Sequence, residues 1–157
     1  AVSKGAKVDT VFLAGLNIRE CDGCHVCWKG KHCCKKDDML GLYEKISESD
    51  AIVFGTPVYW FGPTALMKAF IDRFVYFNCP ENRLKIKGKA AAMVIPFEDE
   101  AIDTARPLVE LFEKSFEYLE MRLAGSVVAG GVGEKGDILK KSDRLNEAYE
   151  LGKRLAE

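Results

Sequence analysis

The chain has 157 residues, of which 48 % are hydrophobic, so it is long enough for one domain with a substantial core. Its 23 basic and 24 acidic residues nearly cancel, which excludes the strongly basic surface of a protein that binds nucleic acid or an anionic membrane. No run approaches the roughly 18 consecutive apolar residues of a membrane-spanning helix.

Apolar runs alternate with amphipathic helical patterns along the chain, and this alternation predicts a parallel sheet covered by helices. The predicted strands span residues 8–13, Ala51–Gly55, residues 90–95 and residues 126–132. The second of them is a continuous apolar run of the kind that is buried on both faces. A flavodoxin-like doubly wound α/β sheet, with strand order 2-1-3-4-5, has one strand more than these four.

The strand without a counterpart is the first one, which is central in that order. Without it, residues 8–13 and Ala51–Gly55 would each have an unpaired buried edge. We therefore expect a single flavodoxin-like domain over residues 1–157 that is incomplete at its N-terminus. Its first strand and phosphate loop are expected upstream of Ala1.

Helical periodicity follows each of the predicted strands, directly or after a loop. The helix after the first loop is expected to bury Met39, Leu42, Tyr43 and Ile46. Pro63 suits the first turn of the next helix, which is expected to turn outward Lys68, Asp72 and Arg73. A third ends near Met121, and the C-terminal helix is expected to bury Leu145, Ala148, Tyr149 and Leu155.

Four of the six cysteines lie in one short loop with the spacing C-x2-C-x2-C-x5-C, namely Cys21, Cys24, Cys27 and Cys33. Four thiolates on so compact a loop suit an iron–sulfur cluster, which needs soft sulfur ligands. Zinc is the competing metal, but structural zinc sites usually place two ligand pairs more than about ten residues apart. Unliganded thiols are the third interpretation. The continuous spacing favours the cluster, and clustered cysteines favour the reducing cytoplasm.

Other side chains near this loop can also bind a metal. Cys34 is the alternative fourth ligand, because it is adjacent to Cys33. His25 and His32 lie between cysteines, but four thiolates already suffice, and exposed loop histidines are the simpler interpretation. Cys79 is isolated in the sequence and is expected to be an ordinary thiol.

A second informative segment leaves the carboxyl end of strand Ala51–Gly55, where open α/β sheets bind ligands. Three consecutive aromatic residues, Tyr59, Trp60 and Phe61, lie in this loop. Planar side chains and backbone amides beside a strand end can hold the flat ring of a flavin. The alternatives are that these aromatic residues cap the core or contact another subunit.

Two further runs have simpler interpretations. Residues 74–77, Phe-Val-Tyr-Phe, are too apolar for the end of a surface helix, which predicts a subunit interface. A second run is acidic and comprises Glu98, Asp99, Glu100 and Asp103. It is expected to be the solvated start of a helix.

Together, these motifs resemble the iron–sulfur flavoproteins of the NAD(P)H-dependent FMN reductase superfamily. The resemblance is carried by Cys-Asp-Gly-Cys-His-Val-Cys at residues 21–27, Cys-Cys-Lys-Lys-Asp-Asp-Met at 33–39, Gly-Thr-Pro-Val-Tyr-Trp at 55–60 and Met-Lys-Ala-Phe-Ile-Asp-Arg at 67–73. It continues more faintly to the C-terminus. The cysteine spacing is specific to this group, whereas many FMN reductases without a cluster share the aromatic loop.

The resemblance implies a flavodoxin-like fold, bound FMN, a [4Fe–4S] cluster and a homodimer or homotetramer. The residues that match the cluster ligands are Cys21, Cys24, Cys27 and Cys33. Those that match the loop along the flavin ring are Thr56, Pro57, Val58, Tyr59, Trp60 and Phe61. Cys33 is preferred to Cys34, since it precedes an Asp-Asp pair by four residues, as the matching family cysteine does. The family's phosphate loop has no counterpart in these residues.

The function implied is that of a cytoplasmic electron-transfer oxidoreductase whose electron donor is NAD(P)H or a ferredoxin. A flavin accepts two electrons and releases them singly, so a flavin next to a cluster converts two-electron into one-electron transfer. No catalytic acid–base pair is evident in the sequence. The alternatives are a cluster-free NAD(P)H-dependent FMN or quinone reductase, and a zinc-stapled module without enzymatic activity.

Overall fold

A computed structural model describes residues 1–157 and contains three parallel β-strands and five α-helices. In chain order these are α1 (Met39–Glu48), β1 (Ala51–Gly55), α2 (Ala65–Asp72), the single-turn α3 (Val75–Asn78), β2 (Ala90–Pro96), α4 (Arg106–Tyr118), β3 (Arg122–Ala129) and α5 (Ser142–Arg154). None of the helices is both long and apolar enough to cross a membrane.

The sheet has the strand order β1-β2-β3, and all its strands are parallel. The register runs from Ala51 opposite Ala90 in the first pair, and from Ala90 opposite Arg122 in the second. Because parallel strands end at the same edge, the loops after Gly55, Pro96 and Ala129 emerge side by side. This carboxyl edge positions the aromatic loop.

The two faces of the sheet are covered unequally. One face carries the main core, where Phe54, Met93 and Ile95 pack against the aromatic side chains of α2 and α4. On the other face, α5 covers β2 and β3 through Leu151, which packs on Ala92 and Val127. The expectation that β1 is buried on both faces is wrong, because α5 does not cover it.

The strand predicted at residues 8–13 is absent. Residues 6–12 have no regular structure, Leu13–Gly15 forms a turn of 3-10 helix, and Phe12 is 79 % exposed. In the strand order 2-1-3-4-5 this segment would pair with the first strand, which has no counterpart among residues 1–157. A lone strand has no partner for its backbone N–H and C=O groups, so the sheet has three strands rather than four.

The helices follow their predicted periodicity with two corrections. All four side chains predicted to be buried on α1 are buried. Arg73, predicted to point outward just after α2, is buried. On α5, Leu145 and Tyr149 are exposed, because the helix presents Ala148, Leu151 and Leu155 to the sheet instead.

Residues 74–77 lie in the core and not at a subunit interface, so that prediction is wrong. Phe74, Tyr76 and Phe77 are buried, and Phe77 is 0 % exposed. Tyr76 stacks on Tyr43 of α1 with ring centroids 4.1 Å apart, and Phe77 meets the same ring edge-on at 5.6 Å. The run is apolar because α1 covers it within the same chain.

Candidate functional site

The cysteine loop is closed at its base by hydrogen bonds between its two ends. Before the loop, the Asn17 amide donates to Asp38 Oδ2 at 2.7 Å, and the Arg19 amide donates to Asp37 Oδ2 at 3.0 Å. Both acceptors lie just before α1. Residues 20–36 therefore form a closed loop whose ends are held against the start of that helix.

Arg73 holds the base of the loop from inside. Its Nη1 donates to Asp37 Oδ2 at 2.6 Å and to the Arg19 carbonyl oxygen at 2.8 Å. The Arg73 and Asp37 side chains are 1 % and 0 % exposed. Burial by itself would raise the pKa of Asp37, but hydrogen bonds from Arg73 and Arg19 hold this pKa below its ordinary value. Arg73 and Asp37 therefore form a buried, hydrogen-bonded ion pair.

Arg73 also contacts a predicted cluster ligand. Its Nη2 donates to Cys33 Sγ at 3.2 Å, and Tyr43 Oη donates to the Arg73 carbonyl oxygen at 3.3 Å. The sequence prediction missed this role and treated Arg73 as a surface residue. The available signal was its position between Phe70 and the apolar run at residues 74–77, where a charged side chain has no exposed helix face to occupy.

The structure places all four predicted cluster ligands around one small cavity. Cys27 is buried, Cys21 and Cys33 are half-buried, and Cys24 is exposed. Burial raises the pKa of the Cys27 thiol, and the nearby Cys79 and Cys33 thiols add to this shift. However, no three histidine, cysteine or acidic side chains lie close enough together to hold a metal ion. The ligands share a cavity without converging on one point.

The donor set nevertheless fits an iron–sulfur cluster. Four thiols are the ligands that such a cluster requires, and the cavity places them beside a guanidinium group. Hydrogen bonds to ligand sulfurs, like the one from Arg73 to Cys33, orient such ligands and tune the potential of a cluster. The chemistry of the site therefore suits the predicted group.

The remaining cysteines differ from this set. Cys34 does not line the cavity, and its sulfur lies 3.5 Å from that of Cys24. Cys79 is buried, and its thiol donates to the Tyr76 carbonyl oxygen at 3.0 Å while Asn82 donates to its sulfur. His25 lines the cavity and His32 does not.

The aromatic loop is a small hairpin at the carboxyl end of β1. The Tyr59 and Gly62 backbones exchange two hydrogen bonds of 2.9 and 3.0 Å, so Trp60 and Phe61 form a two-residue turn. Thr56 is buried and its Oγ1 accepts a hydrogen bond from the Thr64 amide at 3.2 Å. The base of the hairpin is thereby closed on α2, whose first residue is Ala65, so Pro63 lies before the helix and not in its first turn as predicted.

The tip of this hairpin is exposed and strained. Tyr59, Trp60 and Phe61 are 63 %, 97 % and 57 % exposed. Trp60 and Phe61 have φ angles of 50° and 63°, in the left-handed region that bulky residues seldom occupy. Such a turn ordinarily carries Asn-Gly, and strain of this kind accumulates at ligand-binding sites. These aromatic faces are thus free to stack on a planar ring, and the alternative that they cap the core is wrong.

The two other loops at the carboxyl edge are joined to each other. The Val132 amide donates to the Phe97 carbonyl oxygen at 2.8 Å, and the Gly131 amide donates to that of Asp99 at 3.0 Å. The acidic residues 98–100 therefore belong to this loop pair, and α4 begins only at Arg106. The loops after β2 and β3 form a second wall at the edge from which the aromatic hairpin projects.

Helix α2 connects the two candidate sites. The aromatic hairpin precedes its first residue, and Arg73 follows its last. Eight helical residues span about 12 Å. The hairpin and the cysteine loop are therefore held at opposite ends of one short, rigid element.

Comparisons with known proteins agree with this arrangement. A family model described as NADPH-dependent FMN reductase matches residues 1–133. An iron–sulfur flavoprotein of Archaeoglobus fulgidus is 29 % identical over 99 % of this chain and 67 % of its own length. A Bacillus subtilis protein, YwqN, is named provisionally as an NAD(P)H-dependent FMN-containing oxidoreductase. It is 31 % identical over 76 % of this chain and 67 % of its own length.

A solved structure extends the comparison to the fold. The Trp repressor binding protein from Bacillus subtilis superposes with a TM-score of 0.67 and 28 % sequence identity, over 74 % of this chain and 73 % of that one. A WrbA-like flavodoxin from Agrobacterium tumefaciens shares this architecture, with a TM-score of 0.53 and 18 % identity over 76 % of this chain and 74 % of that one. The prediction of a flavodoxin-like α/β fold is confirmed.

Proposed function

The chain belongs to the NADPH-dependent FMN reductase family, and we propose that this oxidoreductase uses FMN together with an iron–sulfur cluster to convert two-electron into one-electron transfer. The observation that carries the proposal is the single cavity lined by Cys21, Cys24, Cys27 and Cys33. Several similar proteins are named iron–sulfur flavoproteins, which supports the assignment of a cluster to these cysteines.

In this proposal the four cavity cysteines hold a [4Fe–4S] cluster. Arg73 orients Cys33 through its hydrogen bond to the sulfur, and Asp37 keeps the guanidinium in place. A positive group beside a thiolate ligand stabilises its negative charge. Because Arg73 also holds the two ends of the loop together, it links the geometry of the cluster ligands to the packing of α2.

The flavin ring is assigned to the aromatic hairpin, where Tyr59, Trp60 and Phe61 supply flat apolar surface. Thr56 closes the base of the hairpin, and Pro57 and Val58 complete its first arm. When bound, FMN accepts a hydride and can release the two electrons one at a time. The residues of the hairpin orient the ring and shield one side of it from water.

The electron donor is proposed to be NAD(P)H or a ferredoxin, and the working state a homodimer or homotetramer in the cytoplasm. The exposed hairpin tip supports association, since Trp60 is almost wholly exposed in the single chain. A subunit contact at this tip and stacking on a flavin are compatible, because an aromatic ring has two faces.

A cluster-free FMN reductase is the second candidate function. The observation that favours it is that no three potential ligands lie within reach of one metal ion. The two candidate functions predict different iron contents, and both assign the flavin ring to the hairpin.

Replacing Trp60 with alanine should weaken FMN binding about five- to 150-fold, the range expected for the loss of one aromatic stacking contact. Titration of the cluster-free protein with FMN, followed by flavin fluorescence, measures this. The control is Tyr118→Ala, which removes another exposed aromatic side chain, at the opposite edge of the sheet, and should leave the affinity unchanged. Equal effects of the two changes would remove the hairpin from the flavin site.

The two adjacent cysteines should differ in their effect on iron content. Cys33→Ala should abolish the cluster or leave a three-iron form, because Cys33 lines the cavity and contacts Arg73. Cys34→Ala should keep the full iron and sulfide content, since Cys34 lies outside that lining. Iron and sulfide analysis of anaerobically prepared variants is the test, and the reverse pattern would make Cys34 the ligand.

A further inference from the structure

The Cys24 and Cys34 sulfur atoms are 3.5 Å apart, and both residues are exposed. We propose that these two thiols form a reversible disulfide that withdraws Cys24 from the cysteine cavity. The formation of this disulfide is independent of the proposed function. Its effect on cluster assembly rests on that function, through the assignment of Cys24 as a ligand.

A hydrogen-bonded clamp across the loop brings the two sulfurs together. Asp22 Oδ1 accepts a hydrogen bond from the Cys24 amide at 3.2 Å, and Asp22 Oδ2 accepts one from Lys35 Nζ at 2.8 Å. Lys35 directly follows Cys34, and its side chain is only 9 % exposed. One carboxylate thus ties the backbone of one cysteine to the neighbour of the other.

No other pair of thiols combines contact with access. Cys27 and Cys79 are buried, Cys21 and Cys33 are half-buried, and the Cys33 sulfur accepts a hydrogen bond from Arg73. A dissolved oxidant reaches exposed thiols first, and a disulfide forms where a second thiol lies next to the attacked one. Both conditions select Cys24 and Cys34.

The oxidant is a low-molecular-weight disulfide such as glutathione disulfide. One of the two protein thiolates attacks a sulfur of the reagent, forms a mixed disulfide and releases one glutathione thiolate. The second protein thiolate then attacks the protein sulfur of that mixed disulfide and releases the other. The two protein thiols lose two electrons and two protons, and the reagent gains them as two molecules of glutathione.

The disulfide competes with metal binding because a ligand must be a free thiolate. With Cys24 oxidised, the cavity retains three of its four sulfur donors. Reduction of the disulfide returns the fourth. Assembly of a complete cluster would therefore depend on whether Cys24 and Cys34 are thiols or a disulfide. Of the two, only Cys24 lines the cavity.

Peptide mapping without reductant tests the disulfide itself. Full-length, cluster-free protein is treated with glutathione disulfide, alkylated and digested. The expected product is a cross-linked peptide pair joining Cys24 to Cys34, lost in Cys34→Ser and restored to free thiols by dithiothreitol. The buried Cys79 serves as the internal control, because it should become alkylated only after the protein is unfolded. Mixed disulfides at both positions, or preferential linkage of another pair, would overturn the proposal.

Cluster reconstitution separates this inference from the proposed function. Wild-type protein that carries the disulfide should fail to take up the full iron and sulfide that the reduced protein takes up, and reduced Cys34→Ser, whose Cys24 is a free thiol, should take up all of it. Full uptake by protein that retains the disulfide would overturn the coupling. Failure of even the reduced protein to bind iron would contradict the cluster assignment and leave the mapping result to decide the disulfide.

Discussion

Replacing Arg73 with methionine should lower the free energy of unfolding by about 3–5 kcal/mol, because the Asp37 carboxylate would remain buried without its partner. The same change removes the hydrogen bond to Cys33 and the link between the two ends of the cysteine loop. Urea unfolding of the reduced, cluster-free protein measures the loss. The size of the effect follows from burial, since neither charged side chain reaches water.

Lys68→Met, on the helix that Arg73 follows, is the matched control. Lys68 pairs with Asp72 at the surface, where such a pair contributes about 0.3–0.5 kcal/mol. Equal effects of the two substitutions would contradict the buried ion pair. The double change Arg73→Met with Asp37→Asn should cost less than the sum of the two single changes, since it leaves no unpaired charge.

The same pair predicts how stability depends on pH. The pKa of Asp37 is lowered in the folded protein, so its contribution to stability is present above the unfolded pKa of about 3.9. It is lost as the pH falls through the lower, folded pKa. The stability difference between wild type and Asp37→Asn should therefore shrink as the pH falls below about 4. A difference that grows in acid would reverse this assignment.

Replacing Phe77 with alanine should cost about 3–5 kcal/mol, the range for truncating a fully buried aromatic side chain. Phe77 packs edge-on against Tyr43, Phe74 and Tyr76, so its loss opens a cavity in the packing of α1 against residues 74–77. Unfolding in urea, with size-exclusion chromatography of the folded protein, is the measurement. The elution volume should not change.

Phe77→Leu keeps the test quantitative if the alanine variant does not fold, and should give a smaller loss because more of the volume is retained. A variant that elutes as a smaller species with its stability unchanged would return residues 74–77 to a subunit interface. Phe61→Ala, at the exposed hairpin tip, should leave the free energy of unfolding almost unaffected.

The sequence predicted elements whose pattern depends on neighbours close in the chain. The bounds of β1 and all four buried positions of α1 agree with the structure, because period and propensity act locally. The predicted strand at residues 8–13 is absent, since a strand exists only with a partner and these residues offer none. The last strand, predicted at residues 126–132, lies at Arg122–Ala129, because its register follows β2.

The sequence predicted which side chains gather at the candidate site, but not the residues that hold them in place. Cysteine spacing indicated which side chains gather at one cavity. Nothing in that spacing showed that Arg73, 40 residues after Cys33, would contact its sulfur, because a buried ion pair depends on how helices pack. Similarly, the apolar run at residues 74–77 was compatible with a core and with an interface, and only its packing against Tyr43 decides between them.

The visible absorption spectrum of anaerobically purified protein tests the central claim most directly. We expect flavin bands superimposed on broad iron–sulfur absorption, with both bleached when NADPH or a reduced ferredoxin is added. Flavin bands alone would contradict the cluster and leave a cluster-free reductase. A spectrum without visible bands, from protein that contains stoichiometric zinc, would contradict the account as a whole.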